Sequence, residues 1–276
     1  MNHPAIAPGR VAVVTGGASG IGLAAARRFV ELGMRVCIAD VDEAALADAR
    51  GSLGPNVIAV RTNVAELADV ERLRDHALEA FGEVAVLMNN AGVGGGGGPW
   101  TRYEGWQRVL GVNLWGVVHG VFAFAPRMIE QGTPCAIVNT GSKQGITNPP
   151  GDTAYNVSKA GVKTLTEALA HQLRSIEGCR VTAHLLVPGF TFTGLTRQRQ
   201  NDKPPAAWYP EQVVEELLRR MARGDFYVIC PDNDVTTAMD HARLRWSIDD
   251  IIENRPALSR WHPDFAARFA AYMKNA

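Results

Sequence analysis

The sequence predicts an α/β protein: a doubly wound, parallel, seven-stranded sheet with helices on both faces and a helical extension at the C-terminus. Three observations lead there. Short β-branched runs alternate with amphipathic helical segments, the pattern of parallel βαβ units. A glycine-rich turn follows the first run directly and opens a helix, as in Rossmann-type folds. The 276 residues are 46% hydrophobic and no linker-like stretch divides them, which suits one domain over residues 1–276.

The elements follow in order. Residues 11–15 (VAVVT) read as a buried strand and 20–32 as a helix whose Ala24, Ala25 and Ala26 allow close packing. Strand 35–40 precedes helix 42–49, strand 57–60 precedes helix 66–81, and strand 84–88 precedes a long helix over 104–129. Strand 136–140, helix 154–175 and strand 180–187 come next, with 226–230 as a seventh strand. Segments 234–253 and 263–274 read as helices of the extension 232–276. Gly94 to Gly98 is the one low-complexity run, either a flexible surface tip or a mobile wall beside a cleft. Sheets of this class bind ligands beyond the carboxyl ends of their strands, so the loops there are where chemistry is sought.

Charge and composition exclude several classes. Lys plus Arg equals Asp plus Glu at 28 each, with no basic stripe for nucleic acid. The seven histidines have no metal-ligand spacing, so no metal is expected. Cys37, Cys135, Cys179 and Cys230 form no CxxC pair and read as free thiols in a reducing compartment. Residues 1–10 lack a secretory h-region, and the nearly apolar stretch 114–126 is too short to span a bilayer. A cytoplasmic location away from membranes is expected.

Residues 15–22 (TGGASGIG) supply a nucleotide site. Gly16, Gly20 and Gly22 permit a tight turn and close backbone approach to a pyrophosphate, with Ser19 and Ile21 between them. The positive end of the helix that starts there faces the phosphates. Asp40 ends the second strand, where it can accept from the adenosine ribose hydroxyls and repel a 2′-phosphate. Asp42 is better placed than Asp40 as the next helix cap. With no Lys or Arg in the glycine turn, NAD is expected rather than NADP.

Tyr155 and Lys159 stand one helical turn apart and share a face. A neighbouring ammonium should lower the phenol pKa and let Tyr155 exchange a proton with an alcohol or carbonyl oxygen. Ser142, at the preceding strand end, can hold that oxygen. Hydride transfer would belong to the cofactor.

With these motifs in order, Thr15-Gly-x3-Gly-x-Gly22, Asn89-Asn-Ala-Gly92, Asn113, Ser142, Tyr155-x3-Lys159 and Pro188-Gly189, the chain resembles the short-chain dehydrogenase/reductase family over roughly residues 10–195. The resemblance implies that Lys159 also holds the nicotinamide ribose beside Tyr155, and that Asn113 anchors a water leading from Lys159 to solvent. An ordinary buried asparagine bonding helix backbone is the alternative for Asn113. The resemblance places Asn63 and Val64 at the adenine, although the family usually has Asp at the first. It places Asn90, Ala91 and Gly92 along the adenine ribose. It also places Pro188, Gly189, Thr191 and Thr193 at the nicotinamide, Thr191 departing from the usual Val or Ile. Residues 194–225 read as a substrate-covering segment, and Gly94, Gln144, Ile146, Pro149, Phe190, Phe192 and Trp208 as the pocket lining. That lining is mostly apolar, and its one cation, Lys143, could point either way. A hydrophobic secondary alcohol or ketone, cyclic or aromatic, is the expected substrate.

The extension 232–276 departs from the short glycine-rich tail usual in the family. It reads either as packing over the sheet edge or a partner subunit, or as a lid, and leaves a homodimer and a homotetramer both open. A cofactor-sensing protein without catalysis, and an epimerase or lyase using the same tyrosine, are the competing functions.

Overall fold

Residues of the parallel strands alternate between two buried faces, and this alternation builds the protein. The computed structural model describes residues 2–197 and 202–274. Strand β1 (Val11–Thr15) leads into α1 (Gly20–Glu31), then β2 (Arg35–Asp40), α2 (Glu43–Leu53), β3 (Val57–Arg61) and α3 (Leu67–Phe81). Strand β4 (Val86–Asn89) is followed by α4 (Tyr103–Leu110), a π-helical turn (Gly111–Trp115) and α5 (Gly116–Glu130). Next come β5 (Cys135–Thr140), α6 (Gln144–Thr147), α7 (Thr153–Ser175), β6 (Val181–Val187), α8 (Gly194–Arg197), α9 (Pro210–Met221) and β7 (Tyr227–Ile229). The extension carries α10 (Thr237–Ile252), two short 3₁₀ turns and α11 (Ala266–Lys274).

All seven strands are parallel, in the order β3-β2-β1-β4-β5-β6-β7. The order reverses between β1 and β4, so the crevice for a ligand opens there. Ala12 and Val14 face a core shared with Phe29 of α1 and Leu217 of α9. Val13 faces the opposite core, with Leu73 of α3, Phe124 of α5 and Leu169 of α7. Strands buried on both faces in this way need helices on both sides.

Three features differ from the expectation. The long helix expected over 104–129 is interrupted by the π-helical turn centred on Asn113. Its continuation α5 passes so close to Val64 that a Cβ on Gly116 would lie 2.7 Å from that side chain. Together, residues 103–130 are long and apolar enough to cross a bilayer, but Val117, Ala123, Phe124 and Met128 are buried in the core. The expected covering segment 194–225 shrinks, because residues 210–221 form α9, whose Val213, Val214, Leu217 and Met221 are core. Of the rest, residues 198–201 lie outside the described residues. The four cysteines are free, and burial pushes the thiols of Cys37 and Cys230 up to about 12.

Candidate active site

The switch point is stitched together by backbone and short side chains. Thr15 ends β1, and its Oγ1 accepts the amides of Asn90 (2.9 Å) and Ala91 (3.2 Å) from the turn after β4. Asn90 Nδ2 donates back to the Thr15 carbonyl at 3.1 Å. Gly16 and Gly20 have φ of 63° and 53°, which glycine adopts without strain. A Cβ on Gly22 would lie 2.1 Å from the Gly16 carbonyl oxygen. Ser19 precedes α1 without capping it by its side chain, and no acidic residue stands in the first turn, so the helix presents its positive end to the crevice. Ile21 turns toward the core.

Asp40 sits beside this turn, with Oδ2 accepting from Ala18 N at 3.3 Å and Oδ1 from Val41 N at 2.8 Å. Asp42 caps α2 by accepting from Ala45 N at 3.0 Å, as the sequence implied. Asn63 is committed locally: Oδ1 accepts from Ala65 N and its backbone N–H donates to Asp69 Oδ2. Val64 is buried against Gly116, and its carbonyl bonds the His119 ring. Beyond β6, after Pro188 and Gly189, Thr191 is buried with its hydroxyl donating to the Gly189 carbonyl. Thr193 returns to the α1 terminus, its methyl 3.3 Å from where a Gly20 Cβ would be.

The tyrosine helix is placed with the same economy. Asp152 caps α7 by accepting the Tyr155 amide at 3.3 Å. Gly145 of α6 lies so close to α7 that a Cβ would stand 2.4 Å from the Lys159 carbonyl carbon, which brings the loop carrying Ser142 onto the Tyr155–Lys159 face. The Ser142 hydroxyl lies within hydrogen-bonding reach of the Tyr155 phenol and acts to hold the phenol pKa down. Ser142 Oγ accepts from Gln144 N at 3.2 Å, which leaves its own proton for an oxygen in front of it. Lys159 is buried; its ammonium donates to the Thr140 carbonyl at 2.7 Å and lies 5.8 Å from the centre of the Tyr155 ring. Burial lowers the Lys159 pKa to about 8, still cationic at neutral pH. The expectation that this ammonium lowers the Tyr155 pKa is corrected: burial raises it most, the Asp152 charge raises it further, and only the Ser142 hydrogen bond opposes them.

Asn113 is fully buried. Its amide accepts from Val93 N (2.8 Å) and donates to Val93 O (2.9 Å) and Ser158 Oγ (3.2 Å). Gly92 lies next to both Asn113 Oδ1 and Lys159 Nζ, which its Cβ would approach within 3.5 and 3.7 Å.

On the substrate side, the five glycines are held, not loose. Asp152 accepts the amides of Gly95 (2.7 Å) and Gly96 (3.1 Å), Arg108 donates to Gly94 O (2.7 Å), and Trp106 donates to Gly98 O (2.9 Å). Gly94 faces Leu195 of α8 across this wall. Gln144 is exposed, Ile146 and Pro149 are half-buried, and Phe190 is 41% exposed. Phe192 and Trp208 pair through backbone, while the Trp208 ring packs against the core around α1 and α9. Lys143 turns away from the cleft to Asp240, at 2.7 Å. Sequence reasoning missed Asp152 and Gly145; an Asp three positions before Tyr155 is an N-cap signal that could have found the first.

A family model for short chain dehydrogenases matches residues 10–204. The chain belongs to the short-chain dehydrogenase family. This short-chain dehydrogenase is 38% identical over 254 residues to a 1-deoxy-11-beta-hydroxypentalenate dehydrogenase of Streptomyces exfoliatus, 88% of each chain. It is 34% identical over 198 residues to 3beta-hydroxysteroid dehydrogenase 2 of Eggerthella lenta, 70% of this chain and 75% of that one. A short chain dehydrogenase/reductase from Burkholderia phymatum, solved in complex with NAD, is similar at 38% identity and TM-score 0.82, over 91% of this chain and 96% of that one. The protein is therefore an oxidoreductase acting on CH–OH groups of small molecules with a nicotinamide cofactor. The uncapped α1 terminus, and the tight turn in which Gly22 packs directly on the Gly16 carbonyl, fit such a cofactor.

Proposed function

We propose that this short-chain dehydrogenase interconverts a hydrophobic, cyclic secondary alcohol and its ketone with NAD(H). The observation that carries the reading is the buried Lys159 ammonium, held by the Thr140 carbonyl at 2.7 Å and 5.8 Å from the centre of the Tyr155 ring, with Ser142 beside the phenol. When bound, the nicotinamide accepts or supplies the hydride. Ser142 holds the substrate oxygen by donating its hydroxyl proton. Tyr155 takes the proton from the alcohol oxygen, or returns it to the carbonyl oxygen, through its phenol oxygen. Lys159 keeps a positive charge behind the ring and holds the nicotinamide ribose, and the π-helical turn at Asn113 keeps Gly92 and Val93 beside it.

Gly16, Gly20 and Gly22 take the pyrophosphate, Asp40 the adenosine ribose, and Thr193 the nicotinamide side. The choice of NAD rests on the Asp40 carboxylate next to the turn and on the absence of Lys or Arg within residues 16–22. A neutral substrate is supported by Lys143, whose charge is matched by Asp240 and so does not select an anion. A cyclic one is supported by relatives named for a hydroxypentalenate and a hydroxysteroid. Trp115 and Phe122, 54% and 64% exposed on one long helix, support a homodimer or homotetramer. A panel of alcohols and ketones with NAD⁺ and NADH tests the proposal. Turnover should favour neutral polycyclic alcohols; preference for small charged hydroxy acids, or for NADP, would contradict it.

A further inference from the structure

Lys143 follows Ser142 in the chain and is paired in a buried ionic cluster that the reaction does not require. Its ammonium lies 2.7 Å from Oδ2 of Asp240 in α10 and 3.5 Å from Oδ2 of Asp232, in the segment after β7. Both aspartate side chains are 6% exposed. The same Asp232 oxygen accepts the Phe190 amide at 3.2 Å, and its other oxygen accepts the amides of Asp234 (3.2 Å) and Val235 (2.9 Å). The cluster needs glycine at 189: a Cβ there would lie 2.9 Å from Asp232 Oδ2 and 3.0 Å from Lys143 Nζ. Ile146, Val187, Ile229 and Leu244 surround it with apolar groups. One cation thus joins the loops after β5 and β6, the segment after β7, and the C-terminal extension.

Removing two carboxylates and an ammonium from water is unfavourable in itself, and burial raises the Asp240 pKa despite its partner. Well-packed apolar residues would hold α10 against the sheet at least as well. Charged groups add fixed direction and distance, which apolar packing does not. The directions here converge on the residue after Ser142 and on the backbone at 189–190.

We propose that Lys143, Asp232 and Asp240 are positioning residues, and that α10 acts through them as a brace that holds Ser142 toward Tyr155 and fixes the backbone after Gly189. The C-terminal extension is on this reading a working part of the active site. The inference rests on the proposed role of Ser142.

The test compares Asp240→Asn, Lys143→Met and the double variant Lys143→Met/Asp240→Leu in the full chain. Turnover, NAD affinity, Tm and amide hydrogen exchange of residues 140–148 and 188–193 are measured. The single variants should lose about 10- to 100-fold in kcat, the scale of a small misplacement of reacting groups, with NAD affinity changed far less. The double variant removes the Lys143–Asp240 pair together and leaves the Asp232 carboxylate to the amides of Phe190, Asp234 and Val235, so it should regain part of the lost Tm but not kcat. Exchange in both segments should rise in every variant. A double variant with wild-type kcat and KM, or an Asp240→Asn protein with unchanged exchange, would overturn the proposal. Should the single variants fail to fold, the double variant decides. The exchange readout needs no turnover, so a wild type inactive on every alcohol would count against the proposed function and leave the brace to be judged by exchange.

Discussion

The protein contains two glycine-rich turns, one after β1 and one after β4, and they use their backbones in opposite ways. In residues 16–22 the amides that open α1 meet no capping side chain, and a Cβ on Gly22 would strike the Gly16 carbonyl. In residues 94–98 the amides are taken: Asp152 accepts those of Gly95 and Gly96, and Thr101 accepts that of Gly98 at 3.0 Å. The first turn leaves donors for an anion. The second closes its donors on the cap of the tyrosine helix and becomes a fixed wall. Glycine content alone does not distinguish a binding turn from a structural one; the destination of the amides does.

Substitutions in the two turns should therefore separate cofactor binding from catalysis. The largest effect is expected for Gly22→Ala, because the obstructing atom is backbone and cannot rotate away. NAD affinity should fall roughly 100-fold, about 3 kcal/mol, as read by calorimetric titration. Gly96→Ala puts a methyl 2.4 Å from Ala154 Cβ. It should cost about 2 kcal/mol of stability, the usual scale of overpacking, and lower kcat while NAD affinity stays within a few-fold. Equal losses of NAD affinity in both variants would erase the distinction between the turns.

Asp152→Asn keeps one acceptor and loses the charge. Stability should drop by about 1 kcal/mol for the weakened cap, measured by thermal melting. Since the Asp152 charge raises the Tyr155 pKa, its removal should move the limb of the kcat pH profile assigned to Tyr155 to lower pH; a limb unmoved or moved upward would remove Asp152 from the electrostatics of the tyrosine. The smallest effect is expected for Asp40→Ala, which should narrow the ratio of NAD to NADP affinity several-fold by relieving repulsion of a 2′-phosphate, with kcat for NAD little changed.

Local features of the fold were legible in the sequence. Short apolar, β-branched runs mark β1 to β6 because strands covered on both faces are buried along their length, and the spacing of Gly16, Gly20 and Gly22 marks the turn because its constraint lies within seven residues. Tyr155 and Lys159 were legible because a helix places i and i+4 together. The π-helical turn was not, since hydrophobic periodicity continues through it and only Gly111 and Gly116 mark its ends. Helix α9 was hidden by the prolines before it, although Pro210 at its start and Val213, Val214, Leu217 and Met221 at helical spacing carry the signal. The pairing of Lys143 with Asp240 joins residues far apart in the chain through tertiary packing, which no local pattern records. The rise in the Tyr155 pKa was misjudged for the same reason, because burial is a property of the assembled fold.

The most direct test of the central claim is Tyr155→Phe, assayed for turnover of the best alcohol in the panel and for NAD affinity in parallel. Loss of the phenol oxygen should reduce kcat by about 10²- to 10⁴-fold, the range of a positioned acid–base group, with NAD affinity within a few-fold of wild type. A Tyr155→Phe protein that turns over at the wild-type rate would contradict the assignment of proton transfer to this residue.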